Sequence, residues 1–192
     1  MGTHVIEAGF PANSDAEFEA IRDIAAATDT TVAGLARVVE SDVEAALDAG
    51  VDMIHVFAST SDVQIEDSMH ATREQVLERS VDAVEMVADA GVEVMFSPMD
   101  ATRTDREYLA EVVEAVDAAG ADWINIPDTT GVASPSRFAD LVAFVNERTG
   151  ARIDVHTHDD FGMATANAIA GLEAGADQVQ VSVNGIGERA GN

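Results

Sequence analysis

Two periodicities alternate along the chain. Short apolar, β-branched runs occupy residues 4–7, 31–36, 53–58, 92–97, 123–127, 153–156 and 178–183, each of strand length. Between them lie longer stretches with apolar residues three and four apart, as in Leu109, Val112, Val113 and Val116. That spacing puts them on one face of a helix. Seven strands separated by six helical segments are predicted.

The punctuation is equally regular. Ala49-Gly50-Val51-Asp52, Ala90-Gly91-Val92-Glu93, Ala119-Gly120-Ala121-Asp122 and Ala174-Gly175-Ala176-Asp177 each end a helical stretch and precede a strand, with Thr149-Gly150-Ala151-Arg152 as a weaker copy. Glycine fits the left-handed position that closes a helix. Ser14…Glu17, Ser41…Glu44, Thr72…Gln75 and Thr104…Glu107 have the spacing of a capping box, and Ser134-Pro135 reads as a cap followed by proline in the first turn.

Strict alternation of strand and helix implies a parallel sheet covered by helices. An open doubly wound sheet is the rival, but no glycine-rich dinucleotide fingerprint follows any strand. The regular unit favours an α/β fold of the (β/α)8 TIM-barrel type, which typically needs about 250 residues. With 192 residues the chain is expected to supply strands two to eight over residues 1–192, without the first strand–helix unit and the last helix.

Charge changes the picture. Acidic residues number 36 against 10 basic ones, for a net charge of −26. All ten basic residues are arginine and none is lysine. Such a surface predicts life in molar salt, where screening contracts to about 3 Å and dense carboxylates keep the protein dissolved. It also argues against nucleic acid as a partner. There is no cysteine, hence no disulfide, thiolate nucleophile or thiolate metal ligand. No apolar run approaches the roughly 20 residues of a membrane span, and residues 1–7 lack the pattern of a signal peptide. A soluble, cytoplasmic protein is expected.

In a TIM barrel the chemistry sits where strands end. Glu7, Arg37, His55, Ser97, Asn125, Asp128, His156, His158 and Asn184 all fall there. The sharpest signal is Val155-His156-Thr157-His158-Asp159-Asp160. Strand alternation puts His156 and His158 on one face, able to share a metal ion or simply to hydrogen-bond within the mouth. Asp159 and Asp160 either orient the rings or begin the next helix. The second signal is Asn184-Gly185-Ile186-Gly187-Glu188-Arg189-Ala190-Gly191-Asn192, whose glycines allow close backbone approach to a ligand or serve only as a flexible loop.

Together with Val5-Ile6-Glu7-Ala8-Gly9-Phe10-Pro11, Ile54-His55-Val56-Phe57-Ala58-Ser59-Thr60 and Asn125-Ile126-Pro127-Asp128-Thr129-Thr130-Gly131, these segments resemble the 2-isopropylmalate synthase family of metal-dependent Claisen-type condensing enzymes. The likeness runs the length of the chain. Its Gly-Glu-Arg-Ala-Gly-Asn ending points to isopropylmalate or citramalate synthases rather than hydroxymethylglutaryl-CoA lyase. The resemblance implies condensation of acetyl-CoA with a 2-oxo acid, followed by thioester hydrolysis. It implies a divalent metal (Zn, Mn or Mg) held by His156, His158 and Asn192, and a homodimer for the full-length enzyme. By the same matching Thr129 binds the substrate carboxylate, and His55 and Ser97 shape the 2-oxo acid site. Glu188 transfers a proton, or pairs with Arg189 to brace its loop. A fourth ligand, an aspartate, and an adjacent arginine belong to a first-strand motif that the resemblance places before Met1. Met99 stands where the family usually carries a glutamate. A citramalate or homocitrate synthase, a related carbon–carbon lyase and a catalytically inactive barrel segment are the alternative readings.

Overall fold

The computed structural model of the chain describes residues 2–189 and residue 191. Seven strands form one sheet: β1 (Val5–Gly9), β2 (Thr31–Arg37), β3 (Met53–Ser59), β4 (Glu93–Met99), β5 (Trp123–Asp128), β6 (Arg152–Thr157) and β7 (Gln178–Val179). Each strand pairs in parallel with the next in sequence, in the order β1 to β7. With no reversal of order and right-handed crossovers, every helix falls on the same side and the sheet curls. This is the progression of a (β/α) barrel, here a partial one, and not of a doubly wound sheet. The last strand is shorter than the expected 178–183, since residues 180–182 make no ladder.

The connecting helices are α1 (Asp15–Ala27), α2 (Glu40–Asp48), α3 (Asp62–Gln64), α4 (Arg73–Asp89), α5 (Arg106–Ala118), α6 (Pro135–Asn146) and α7 (Ala164–Glu173). The short α3 runs into a π-helical turn, Ile65–Met69, that the apolar pattern does not reveal. Ser14 caps α1, and Thr72 with Gln75 forms a complete capping box on α4. Two expected caps shift by one or two residues. Val39 precedes α2, because the Asp42 carboxylate folds back onto Arg37. Asp105 caps α5, because the Thr104 hydroxyl is taken up by the Asp100 carbonyl and Thr60. Ser134 sits at the start of α6 as expected, but its side chain does not cap.

Alternation along the strands divides the interior in two. Ile54, Val56, Val94, Phe96, Ile124, Ile126, Ile153 and Val155 point outward into the main core, where Leu109, Val112, Val113 and Val116 of α5 meet them. Val5, Ala33, Met53, Met95 and Trp123 form a smaller cluster on the inner face. The repeated helix-end phrase explains how the strands are pinned. Gly50, Gly91, Gly120 and Gly175 all have positive φ. The aspartate two residues after Gly50, Gly120 and Gly175 then clamps the preceding strand. Asp52 accepts from the Val32 N–H, Asp122 from Val94 and Asp177 from Ile153, each at 2.9 Å. Among the described residues no helix is long and apolar enough to cross a membrane.

Candidate active site and metal centre

Above the inner apolar cluster the inward positions turn polar. The β5–β6 register sets Asn125 beside Asp154, and β4 continues the same rung with Ser97. Ser97 Oγ donates to Asn125 Oδ1, and Asn125 Nδ2 donates to Asp154 Oδ2, both at 2.6 Å. On the other side His55 Nε2 lies 2.6 Å from Ser97 Oγ, and His55 Nδ1 lies 2.5 Å from Glu7 Oε2. His55 and Ser97, predicted from different strands, are therefore neighbours in one buried polar row. Burial pushes the Asp154 carboxyl up to about 6, against the lowering effect of the Asn125 hydrogen bond. Burial also acts upward on Glu7, but the charge and hydrogen bond of His55, with the charge of His156, outweigh it and leave Glu7 below its ordinary value.

One rung higher, His156 and His158 meet. Their Nε2 atoms are 3.1 Å apart. Two bonds of about 2.0–2.1 Å to one ion, near a right angle, put two nitrogens about 3 Å apart, so the pair fits adjacent positions on a single metal. His156 Nδ1 donates to Gln180 Oε1 at 2.6 Å, which leaves the ring lone pair on Nε2. His158 Nδ1 is buried and has no hydrogen-bond partner among the described residues. Burial lowers the proton affinity of both rings; the charges of His156 and Arg189 add to the effect at His158. Both are thereby favoured in the neutral form that binds metal. Among the described residues no third histidine or carboxylate joins them. Asn192, the remaining expected ligand, lies outside the described residues.

The loops close around this pair. Thr129 Oγ1 accepts the Asp100 N–H at 2.9 Å, so its own hydrogen remains to be donated. Asp100 is held in a left-handed conformation by Ser61 at 2.5 Å and by Arg103. Gly131 packs directly on the backbone of residues 158–160. Arg189 spans from the Thr129 carbonyl to the Asp160 carboxylate, so it pairs with Asp160 rather than Glu188. Glu188 is exposed and close enough for its charge to raise the proton affinity of both histidines. Asp159 accepts the Ala164 N–H and so begins α7.

Two strand-end residues turn away from the mouth. Asp128 is consumed by Thr102, the Ala133 N–H and Asn167, and Arg37 pairs with Asp42. Two members of the site escaped the sequence reading. Asp154 lies two residues before His156, and the same alternation that aligned the histidines would have placed it beneath them. Gln180 carried no comparable signal.

The HMGL-like family matches residues 1–192. The chain is 53% identical to a probable 2-isopropylmalate synthase of Methanopyrus kandleri and 50% identical to a 2-isopropylmalate synthase of Sulfolobus acidocaldarius. Each match covers 100% of this chain, but only 39% and 50% of those proteins. The chain thus spans at most half the length of these relatives. Among solved structures, hydroxymethylglutaryl-CoA lyase from Pseudomonas aeruginosa is similar, with a TM-score of 0.83 and 27% identity over 100% of this chain and 70% of that one. The family match runs the whole length of the sequence, and the chain belongs to the HMGL-like family.

Proposed function

We propose that this barrel performs metal-assisted condensation of acetyl-CoA with a 2-oxo acid, in the manner of a 2-isopropylmalate synthase. The observation that carries the reading is the convergence of the His156 and His158 Nε2 atoms at the mouth, in a chain half identical to proteins of that name. His156, His158 and Asn192 would hold the divalent ion, Zn, Mn or Mg. When bound, the ion acts as a Lewis acid on the keto group.

The chain's own residues supply the remainder. Thr129 offers its hydroxyl hydrogen to the substrate carboxylate, since its oxygen is already engaged by the Asp100 N–H. His55 and Ser97 form the opposite wall of the 2-oxo acid site. Glu188, exposed beside the histidines, moves a proton between the reacting groups and solvent. Met99 leaves an apolar surface where the resemblance expects a carboxylate, which bears on which 2-oxo acid is accepted. The full-length protein is proposed to work as a cytoplasmic homodimer in a salt-rich cell.

The test is release of CoA in molar KCl. Acetyl-CoA and a divalent metal are offered to the full-length protein with pyruvate, 2-oxoisovalerate or 2-oxoglutarate. Turnover with one oxo acid, lost in His156→Ala, is expected. Turnover with none of them would refute the reading, and cleavage of a hydroxyacyl-CoA in its place would assign a lyase.

A further inference from the structure

The turn after β4 contains a residue with no part yet in the proposed chemistry. Asp100 has φ +69° and ψ +32°, a left-handed conformation that disfavours any residue carrying a Cβ. Its side chain is completely buried. Ser61 Oγ donates to the carboxylate at 2.5 Å, and Arg103 Nε and Nη2 donate to it at 2.6–2.9 Å. Its carbonyl is held as well, by the Arg103 N–H and the Thr104 hydroxyl, both at 3.0 Å. With carboxylate and carbonyl fixed, φ is the torsion that orients the peptide joining Asp100 to Met99. That peptide is gripped from both sides. Its carbonyl, on Met99, accepts the Thr60 N–H at 3.0 Å and the Thr60 hydroxyl at 3.2 Å. Its N–H points the opposite way, as in any trans peptide, and donates to Thr129 Oγ1 at 2.9 Å.

We infer that Asp100 is a positioning residue for substrate binding, acting through Thr129. Its anchored carboxylate holds the 99–100 peptide so that the N–H occupies the Thr129 oxygen and leaves the hydroxyl hydrogen for a ligand carboxylate. A turn that needed only its left-handed bend would be served by glycine. A buried carboxylate with these partners adds a fixed direction. The backbone at Thr129 has a separate anchor. Asp128 accepts from Thr102 Oγ1, the Ala133 N–H and Asn167 Nδ2, so the loop after β5 keeps its place when Asp100 is altered. What Asp100 sets is the rotamer of one side chain. A threonine released from the N–H spreads over as many as three staggered wells. The binding-competent fraction then drops to about one third, and apparent affinity for the ligand drops about 3-fold.

That the ligand is the 2-oxo acid rests on the proposed condensation; the control of Thr129 does not. Three-bond NMR couplings to the Thr129 methyl, in the full-length protein with isotope-labelled threonine, read the rotamer without substrate. One rotamer is expected in the wild type. Averaging is expected in Asp100→Gly, which keeps the bend and removes the anchor. Averaging in the wild type, or a single rotamer in folded Asp100→Gly, would overturn the inference. If Asp100→Gly does not fold, Arg103→Gln decides by the same criterion, since it removes the guanidinium fork from an exposed position. CoA release reports separately. In Asp100→Gly the KM for the oxo acid should rise about 3-fold with little change in kcat. In a Thr129→Val background the same substitution should add nothing, because the two residues act as one unit. An equal rise in that background would show that Asp100 does not act through Thr129, and would overturn the inference. Absence of turnover in the wild type, with the rotamers as expected, would count against the proposed reaction alone.

Discussion

Gly131→Ala should damage the proposed metal site through the backbone, without touching either histidine. Gly131 has φ +62°, and a Cβ built there would stand 2.8 Å from the Asp160 nitrogen and 2.9 Å from the His158 carbonyl oxygen, besides striking the Asp160 carboxylate. The left-handed conformation costs an ordinary residue roughly 1–2 kcal/mol. Overpacking against backbone adds about 1–3 kcal/mol, for a total of about 2–5 kcal/mol. Ordinary contact begins at 3.4 Å, so the 158–160 segment must retreat by about 0.6 Å to make room. A displacement of that size exceeds the roughly 0.5 Å within which a binding constellation keeps its geometry. Divalent-ion affinity should fall on the order of 10- to 100-fold. Isothermal titration with Mn2+ or Zn2+ reads the affinity, and urea unfolding reads the stability. Gly150→Ala is the control, because nothing lies within 4 Å of its Cβ position; it should change stability by less than about 1 kcal/mol. Wild-type affinity and midpoint in Gly131→Ala would refute the packing argument.

Three further outcomes follow from charge. Asp154 is raised from 3.8 to about 6, so the folded chain holds that proton more tightly than the unfolded one. Its contribution favours folding at low pH and is lost as pH rises through about 6, at a cost of up to about 3 kcal/mol. Asp154→Asn should therefore be more stable than wild type above pH 6, with the difference shrinking toward pH 4; urea midpoints across that range that never diverge would contradict it. His156 and His158 act in the opposite sense, since their lowered proton affinity withdraws stability as pH falls below about 6.5. With a net charge of −26, the unfolding midpoint should also rise from dilute buffer to molar KCl, and a midpoint unchanged by salt would argue against adaptation to a salt-rich cell.

The barrel was legible because each of its units repeats the same local chemistry. Glycine at the helix end, a short β-branched run and an amphipathic return imply a parallel sheet, and the absence of a dinucleotide fingerprint favoured the barrel over the doubly wound order. What the aspartate of the repeated phrase does was not legible. Asp52, Asp122 and Asp177 each reach a backbone N–H on the preceding strand, about 20–30 residues earlier, and a contact that distant leaves no local pattern. Cap positions slipped where tertiary contacts claimed the hydroxyl first, as at Thr104. The histidine pair was visible from strand alternation alone. Its surroundings were not: Gln180 follows β7 in a stretch without regular structure, and the Arg189 bridge joins two loops that only the fold brings together.

The proposed condensation depends on His156 and His158 sharing one ion. The most direct test is metal retention by the wild-type chain and His158→Ala after extensive dialysis, with X-ray absorption to identify the ligating atoms. The account predicts stoichiometric divalent metal bound through two histidine nitrogens in the wild type. In His158→Ala that metal should be lost while the circular dichroism spectrum and the unfolding transition remain those of a folded barrel. Retention at the wild-type level by His158→Ala, or a coordination shell without imidazole, would contradict it.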